Sequence, residues 1–139
     1  MVSIISGTKG KGKTKELLSQ VNAAAAVAHG SVVYLDKSAK HMYELNNKVR
    51  LVNVTEYPIS DSNAFIGFIC GILSLDNDIE KIYIDSFLKV ADVAGDRINE
   101  VVNTLDELSK EFGVAFILSV SMDEADLPES VKQYITISL

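Results

Sequence analysis

Near the start of the chain a short apolar run, Val2-Ser-Ile-Ile-Ser6, leads into Gly7-Thr8-Lys9-Gly10-Lys11-Gly12-Lys13-Thr14, and Lys15-Glu-Leu-Leu-Ser-Gln-Val21 follows. No other stretch constrains the fold as much. Clustered glycines interrupt both strand and helix, so the segment is expected to be a strand, a tight loop and a helix in succession. Gly7, Gly12, Lys13 and Thr14 also fill the spacing G-x-x-x-x-G-K-[ST] of a phosphate-binding loop. The chemistry explains the residue types. Glycines let the backbone curl until successive N–H groups face inward and form an anion-sized nest. A helix beginning near Lys13 adds its unpaired N–H groups and the positive end of its dipole. Lys13 is then placed to reach the β- and γ-phosphates, and the Thr14 hydroxyl is a hard oxygen ligand suited to Mg²⁺. A chance match in a chain of this size is about one in two hundred. Lys9 and Lys11 read as solvated loop lysines that add positive field. The nucleotide-binding set is therefore Gly7, Thr8, Lys9, Gly10, Lys11, Gly12, Lys13 and Thr14, with the base left open.

A second stretch supplies the complementary charge. Lys81-Ile-Tyr-Ile-Asp85 is an apolar strand ending in a carboxylate. A parallel sheet would deliver that carboxylate to the edge where the loop lies. Asp85 is thus the expected partner of Thr14 at Mg²⁺, and Lys13 and Asp85 are the expected catalytic pair. Asp36, ending Ser31-Val-Val-Tyr-Leu-Asp36, competes for the same role.

The remaining chain alternates helical and strand patterns. Helices are expected over Lys13 to Ala28, ended by Gly30 as a left-handed cap, around Met42, Tyr43 and Leu45, over Ser62 to Leu75, and over Arg97 to Phe112, closed by Gly113. Strands are expected at Val49 to Val54, Val114 to Ser121 and Tyr134 to Leu139. The Ser62 to Leu75 helix is apolar nearly all round, so it needs cover from the fold or from a second copy of the chain. Gly67 and Gly71 permit close approach there, and Cys70 reads as a core thiol. The acidic loop Asp123 to Glu129 reads as solvated. His29 and His41 lack partners at metal-ligand spacing.

Composition sets exclusions. With 139 residues the chain is expected to form one domain over its whole length. Its net charge of −6 argues against broad nucleic-acid binding. One cysteine excludes an internal disulfide and fits a cytoplasmic setting. Met1 to Ser6 is too short for the core of a signal peptide, and no apolar run reaches the length of a membrane span. Strands that are apolar runs, alternating with helices, imply a three-layer α/β/α sandwich with a mainly parallel sheet.

Taken in order, Ser6 to Thr14, Val32-Val-Tyr-Leu-Asp36, Lys81-Ile-Tyr-Ile-Asp-Ser86 and Phe116-Ile-Leu-Ser-Val-Ser121 resemble the ATPase core of RecA-like proteins, within the P-loop NTPase fold. That resemblance implies ATP and Mg²⁺ as ligands, Asp85 as the Walker B carboxylate, and Ser119 or Ser121 where a γ-phosphate sensor stands. The chain departs from the pattern at the base. Where RecA-like enzymes carry Asp-x-Glu, Asp36-Lys37-Ser38 presents a serine, a poor general base, and Ser86 follows Asp85. Glu44 and Glu56 are candidates for a relocated base, and Arg50 and Arg97 for a finger between subunits. Three functions follow: a slow Mg²⁺-dependent ATPase, a module that binds nucleotide without turnover, and a small-molecule kinase. The last is weakened by the shortage of arginine clamps.

Overall fold

The protein is described by a computed structural model covering residues 1–93 and 95–139. Six strands, β1 (Val2–Ser6), β2 (Ser31–Asp36), β3 (Val49–Asn53), β4 (Ile79–Ile84), β5 (Ala115–Val120) and β6 (Ile135–Ser138), form one sheet. Every pairing is parallel, and the order is β3-β2-β4-β5-β1-β6. Parallel strands must be linked by crossovers, which puts cover on both faces and explains why the central strands are continuous apolar runs.

The pleat divides each run between the faces. Ile5, Val32, Tyr34, Tyr83 and Ile117 point toward α1 (Lys13–Val27), which buries Leu17, Val21 and Ala25 at four-residue spacing. Ile4, Val33, Leu35, Ile82, Ile84 and Leu118 point the other way. There α2 (Ser62–Leu75) buries Phe65, Ile69 and Leu73, and α4 (Ile98–Phe112) buries Ile98, Val101, Val102 and Leu105. Each large apolar side chain so buried contributes about 2 kcal/mol. The result is the three-layer α/β/α sandwich that the alternation of patterns implies.

Two glycines are set by local geometry. Gly113 ends α4 at φ 68 and donates its N–H to the Ser109 carbonyl, a left-handed cap. Gly30 is different from expectation. Helix α1 ends in extended Ala28, and Gly30 is not left-handed. A Cβ at Gly30 would lie 1.9 Å from the Asp78 carbonyl oxygen, so glycine is required there by close chain approach. Glu80 Oε2 accepts the N–H groups of His29 and Gly30 at 3.0 and 2.6 Å, fixing the entry to β2.

Elsewhere the structure corrects the sequence reading. Met42–Glu44 is a single 3₁₀ turn rather than a helix, and Tyr43 is exposed. The segment is too short to propagate a helix. It is pinned instead by Asn22, which donates to the Glu44 carbonyl and accepts from the Asn46 N–H. Helix α2 is covered on its sheet side and flanked by α4 and by Tyr57, whose ring centroid lies 5.2 Å from that of Phe68. Its outer face exposes Gly67, Cys70 and Gly71, so Cys70 is a surface thiol and not a core one. Phe112, placed on the apolar side of α4 by spacing, is half exposed where that helix ends. Two one-turn helices, α3 (Phe87–Val90) and α5 (Glu129–Lys132), were not legible as periodic patterns. Part of the acidic loop is anchored, since Leu127 is buried, as is Val131 in the turn that follows.

Candidate functional site

The loop between β1 and α1 lies at the carboxyl edge of the sheet. Gly10 and Gly12 both take positive φ, 87 and 91, where a side chain would be strained. A Cβ on either would meet nothing within 4 Å, so these residues are glycine for backbone curvature and not for lack of room. Gly7 anchors the loop's start, its N–H donating to the Met122 carbonyl at 2.9 Å. Gly12 is the N-cap of α1 and offers no side-chain cap. Among the described residues, the N–H groups of Lys13, Thr14 and Lys15 donate to no protein acceptor; the first α1 amide to do so is that of Glu16, to Gly12. Unpaired amides at a helix N-terminus make a site that favours an anion.

Lys13 is the loop's one buried lysine, at 7% exposure, and its Nζ donates to the Thr8 carbonyl at 3.1 Å. Burial pulls its pKa below the usual lysine value, with the nearby Asp85 charge acting the other way. A bound polyanion would reinforce the charged form.

Thr14 and Asp85 meet although 71 positions separate them. Thr14 Oγ1 donates to Asp85 Oδ2 at 3.0 Å. The second donor to Oδ2 is the Tyr34 hydroxyl at 3.1 Å. Oδ1 accepts from Ser119 Oγ at 2.6 Å and from the Ser86 N–H at 2.9 Å. Four donors match the lone-pair capacity of a carboxylate, so Asp85 is held in one orientation at the floor of the site. Thr14 gives its proton to Asp85 and keeps its own lone pairs free. Burial, followed by the Asp85 and Asp36 charges, drives the Tyr34 pKa far up, so this phenol stays a donor.

The sheet order explains the meeting. β5 lies between β1 and β4, and Ser119 on β5 bridges the gap to Asp85. The surrounding pocket of about 660 Å³ is lined by Lys9, Gly10, Gly12, Lys13, Thr14, Lys15, Lys37, Asp85, Ser86, Leu88, Lys89, Ser119 and Ser121. Gly7, Thr8 and Lys11 belong to the same loop but lie outside that lining.

The competing carboxylate is not in the lining either. Asp36 is buried at the end of β2, where Oδ1 accepts the Lys37 N–H at 2.7 Å and Oδ2 has no partner among the described residues. Burial pushes its pKa up. Glu44 and Glu56 are outside the pocket, and Glu44 pairs with His41. Arg50 and Arg97 pair with Asp76 and Glu100, away from it. Ser119 is buried against Asp85, whereas Ser121 is exposed at the pocket. Tyr34, Lys37, Leu88 and Lys89 were not singled out from the sequence. Tyr34 looks like one more strand residue, and the signal that could have found it is its place two residues before a strand-end acid.

A scan against protein-family models and a search of curated proteins return no match. Among solved structures, the chain is similar to a KaiC-like protein from the hyperthermophilic archaeon Pyrococcus horikoshii OT3, with a TM-score of 0.66 and 18% identity. The alignment covers 96% of this chain and 66% of that one. At this identity the likeness is one of fold. It agrees with the parallel six-stranded α/β sheet and with the P-loop NTPase fold class.

Proposed function

We propose that the chain is a single nucleotide-binding domain that holds ATP with Mg²⁺ and hydrolyses it slowly, after the manner of RecA-like ATPases. The observation that carries this reading is the Thr14–Asp85 hydrogen bond at the foot of a glycine loop whose following amides are unpaired. The residues present suit the ligands. The amides of Lys13 to Lys15 and the Lys13 ammonium suit the phosphates, and Thr14 offers hard oxygen lone pairs to Mg²⁺. Asp85 would act on the ion through its charge and its hold on Thr14. Bound there, the ion supplies charge neutralisation of the phosphates. The protein's own contribution is orientation: Tyr34, Ser119 and the Ser86 amide fix Asp85, and Asp85 fixes Thr14.

One observation favours a second reading, nucleotide binding without turnover. Among the described residues, Asp85 is the sole carboxylate in the pocket lining, and all four of its acceptor positions are used. A general base must have a free lone pair within reach of the attacking water. Hydrolysis is therefore slow in the first reading and absent in the second. The outward Gly67–Gly71 face of α2 supports self-association, the charge of −6 speaks against nucleic acid, and the lone surface thiol fits a reducing, cytoplasmic setting. No helix among the described residues is long and apolar enough to cross a membrane.

Titration with fluorescent ATP and GTP beside a phosphate-release assay tests both readings. Saturable Mg²⁺-dependent binding with slow phosphate release supports the ATPase, and binding without release supports the module. Absence of binding to either nucleotide contradicts both.

A further inference from the structure

The pocket carries more positive charge than the loop requires. Five lysines, Lys9, Lys13, Lys15, Lys37 and Lys89, line it against the single carboxylate of Asp85. This runs against the chain as a whole, which has 13 Lys and Arg against 19 Asp and Glu. The described residues form five ion pairs, and none involves a lysine of this pocket. Ammonium groups gathered without carboxylate partners repel one another and are stabilised by an anion of matching charge.

Three of the five belong to the loop and the first turn of α1. Lys37 and Lys89 do not. Lys37 follows β2, and Lys89 lies in α3, just after β4. With strands about 4.8 Å apart, the ends of β4 and β2 stand about 10 and 14 Å from the end of β1. The pocket is therefore cationic on two walls.

The second wall is built by the backbone. Ser86 takes φ 52 and Asp92 φ 51, left-handed values unusual for residues other than glycine. They bracket α3 and turn it across the carboxyl edge of the sheet. Phe87 and Val90 are buried beneath, which leaves Leu88 and Lys89 facing the pocket. The Ser86 N–H is held by Asp85 Oδ1 and by Ser119 Oγ at 2.8 Å, so the turn carrying Lys89 is tied to the carboxylate beside Thr14.

We propose that Lys37 and Lys89 form a second anion subsite, which takes a phosphoryl group on the side of the pocket away from the glycine loop. The proposal rests on the nucleotide-binding reading. The phosphoryl group has two sources, the terminal phosphate of the bound nucleotide or a second phosphorylated molecule beside it.

The test compares the full chain with Lys37→Ala/Lys89→Ala, and with Lys40→Ala/Lys48→Ala as a control of equal charge loss outside the pocket. Mg²⁺ complexes of ATP and ADP are titrated, and then inorganic phosphate with and without saturating ATP. If the terminal phosphate is the ligand, the first variant loses about tenfold or more in ATP affinity, ADP affinity moves less than about twofold, and the control moves neither. If the ligand is a second molecule, ATP affinity holds, while phosphate binding in the presence of ATP is present in the parent and lost in the variant. Equal behaviour of parent and variant in every titration overturns the subsite while leaving nucleotide binding intact. So does an equal loss in the control, which would show a general effect of net charge. If the parent binds no nucleotide, the nucleotide reading fails separately; phosphate alone then decides the subsite, by binding the parent and not the variant or by failing to do so.

Discussion

Asp85 is the residue on which the site turns. Three side-chain hydroxyls from elements distant in sequence, together with the amide of the adjacent Ser86, converge on its two oxygens. A carboxylate so surrounded is fixed in one orientation, and in the proposed reading its charge lies where a divalent cation needs it. Asp85→Asn removes the charge while keeping the shape. Nucleotide affinity measured with Mg²⁺ is expected to fall about tenfold or more, and affinity measured with Mg²⁺ chelated to change less than about twofold. The amide faces donors that it cannot all satisfy, so a stability loss of about 2 kcal/mol accompanies the change. Equal affinity losses with and without Mg²⁺ would move the cation site to Asp36 or elsewhere. Lys13 is less free than a loop lysine is expected to be. Buried and bonded to Thr8, it shapes the loop as well as charging it.

Among the elements, most of what positions the site could be read from the chain, for identifiable reasons. β1, α1, β2 and β4 each carry an uninterrupted pattern bounded by glycine or acid, and their observed limits lie within about two residues of expectation. What the sequence could not show came from contacts between distant segments. Gly30 reads as a helix cap because it follows a helix, yet its reason is the Asp78 carbonyl on the strand approach nearly fifty residues away. Helix α3 is a single turn between two left-handed residues, with no period to detect. Tyr34 became part of the site only when β2 and β4 paired. Cys70 was misplaced because apolar neighbours on α2 do not reveal which face the fold leaves open. The Gly30 contact is open to test. Gly30→Ala forces a methyl group against a backbone oxygen and is expected to lower unfolding free energy by about 3 kcal/mol, read as a reduced urea midpoint with an unchanged slope. A loss below about 1 kcal/mol, the ordinary scale of a helix cap, would return Gly30 to that lesser role.

At the scale of the whole molecule, the parallel sheet places every strand's carboxyl end on one edge, and the chemistry is gathered there. The strand order inserts β5 between the loop strand and the Asp85 strand, so the cup and the carboxylate share a floor bridged by Ser119. The same edge draws positive charge from Lys37 and Lys89 in a chain that is acidic overall. The fold is shared with the KaiC-like protein at 18% identity, so the architecture persists where most side chains differ, while the proposed function rests on the few residues named above.

The proposed function requires the backbone from residue 7 to residue 15 to grip a polyphosphate. Amide chemical shifts of the nitrogen-labelled protein during titration with Mg·ATP test it most directly. The largest shifts are expected at Gly7 to Lys15 and at Ser86, saturating together, and they should be absent from Lys13→Ala at the same ATP concentrations. Shifts centred on other strands' ends or on α2, with the loop amides unmoved at saturation, would contradict it.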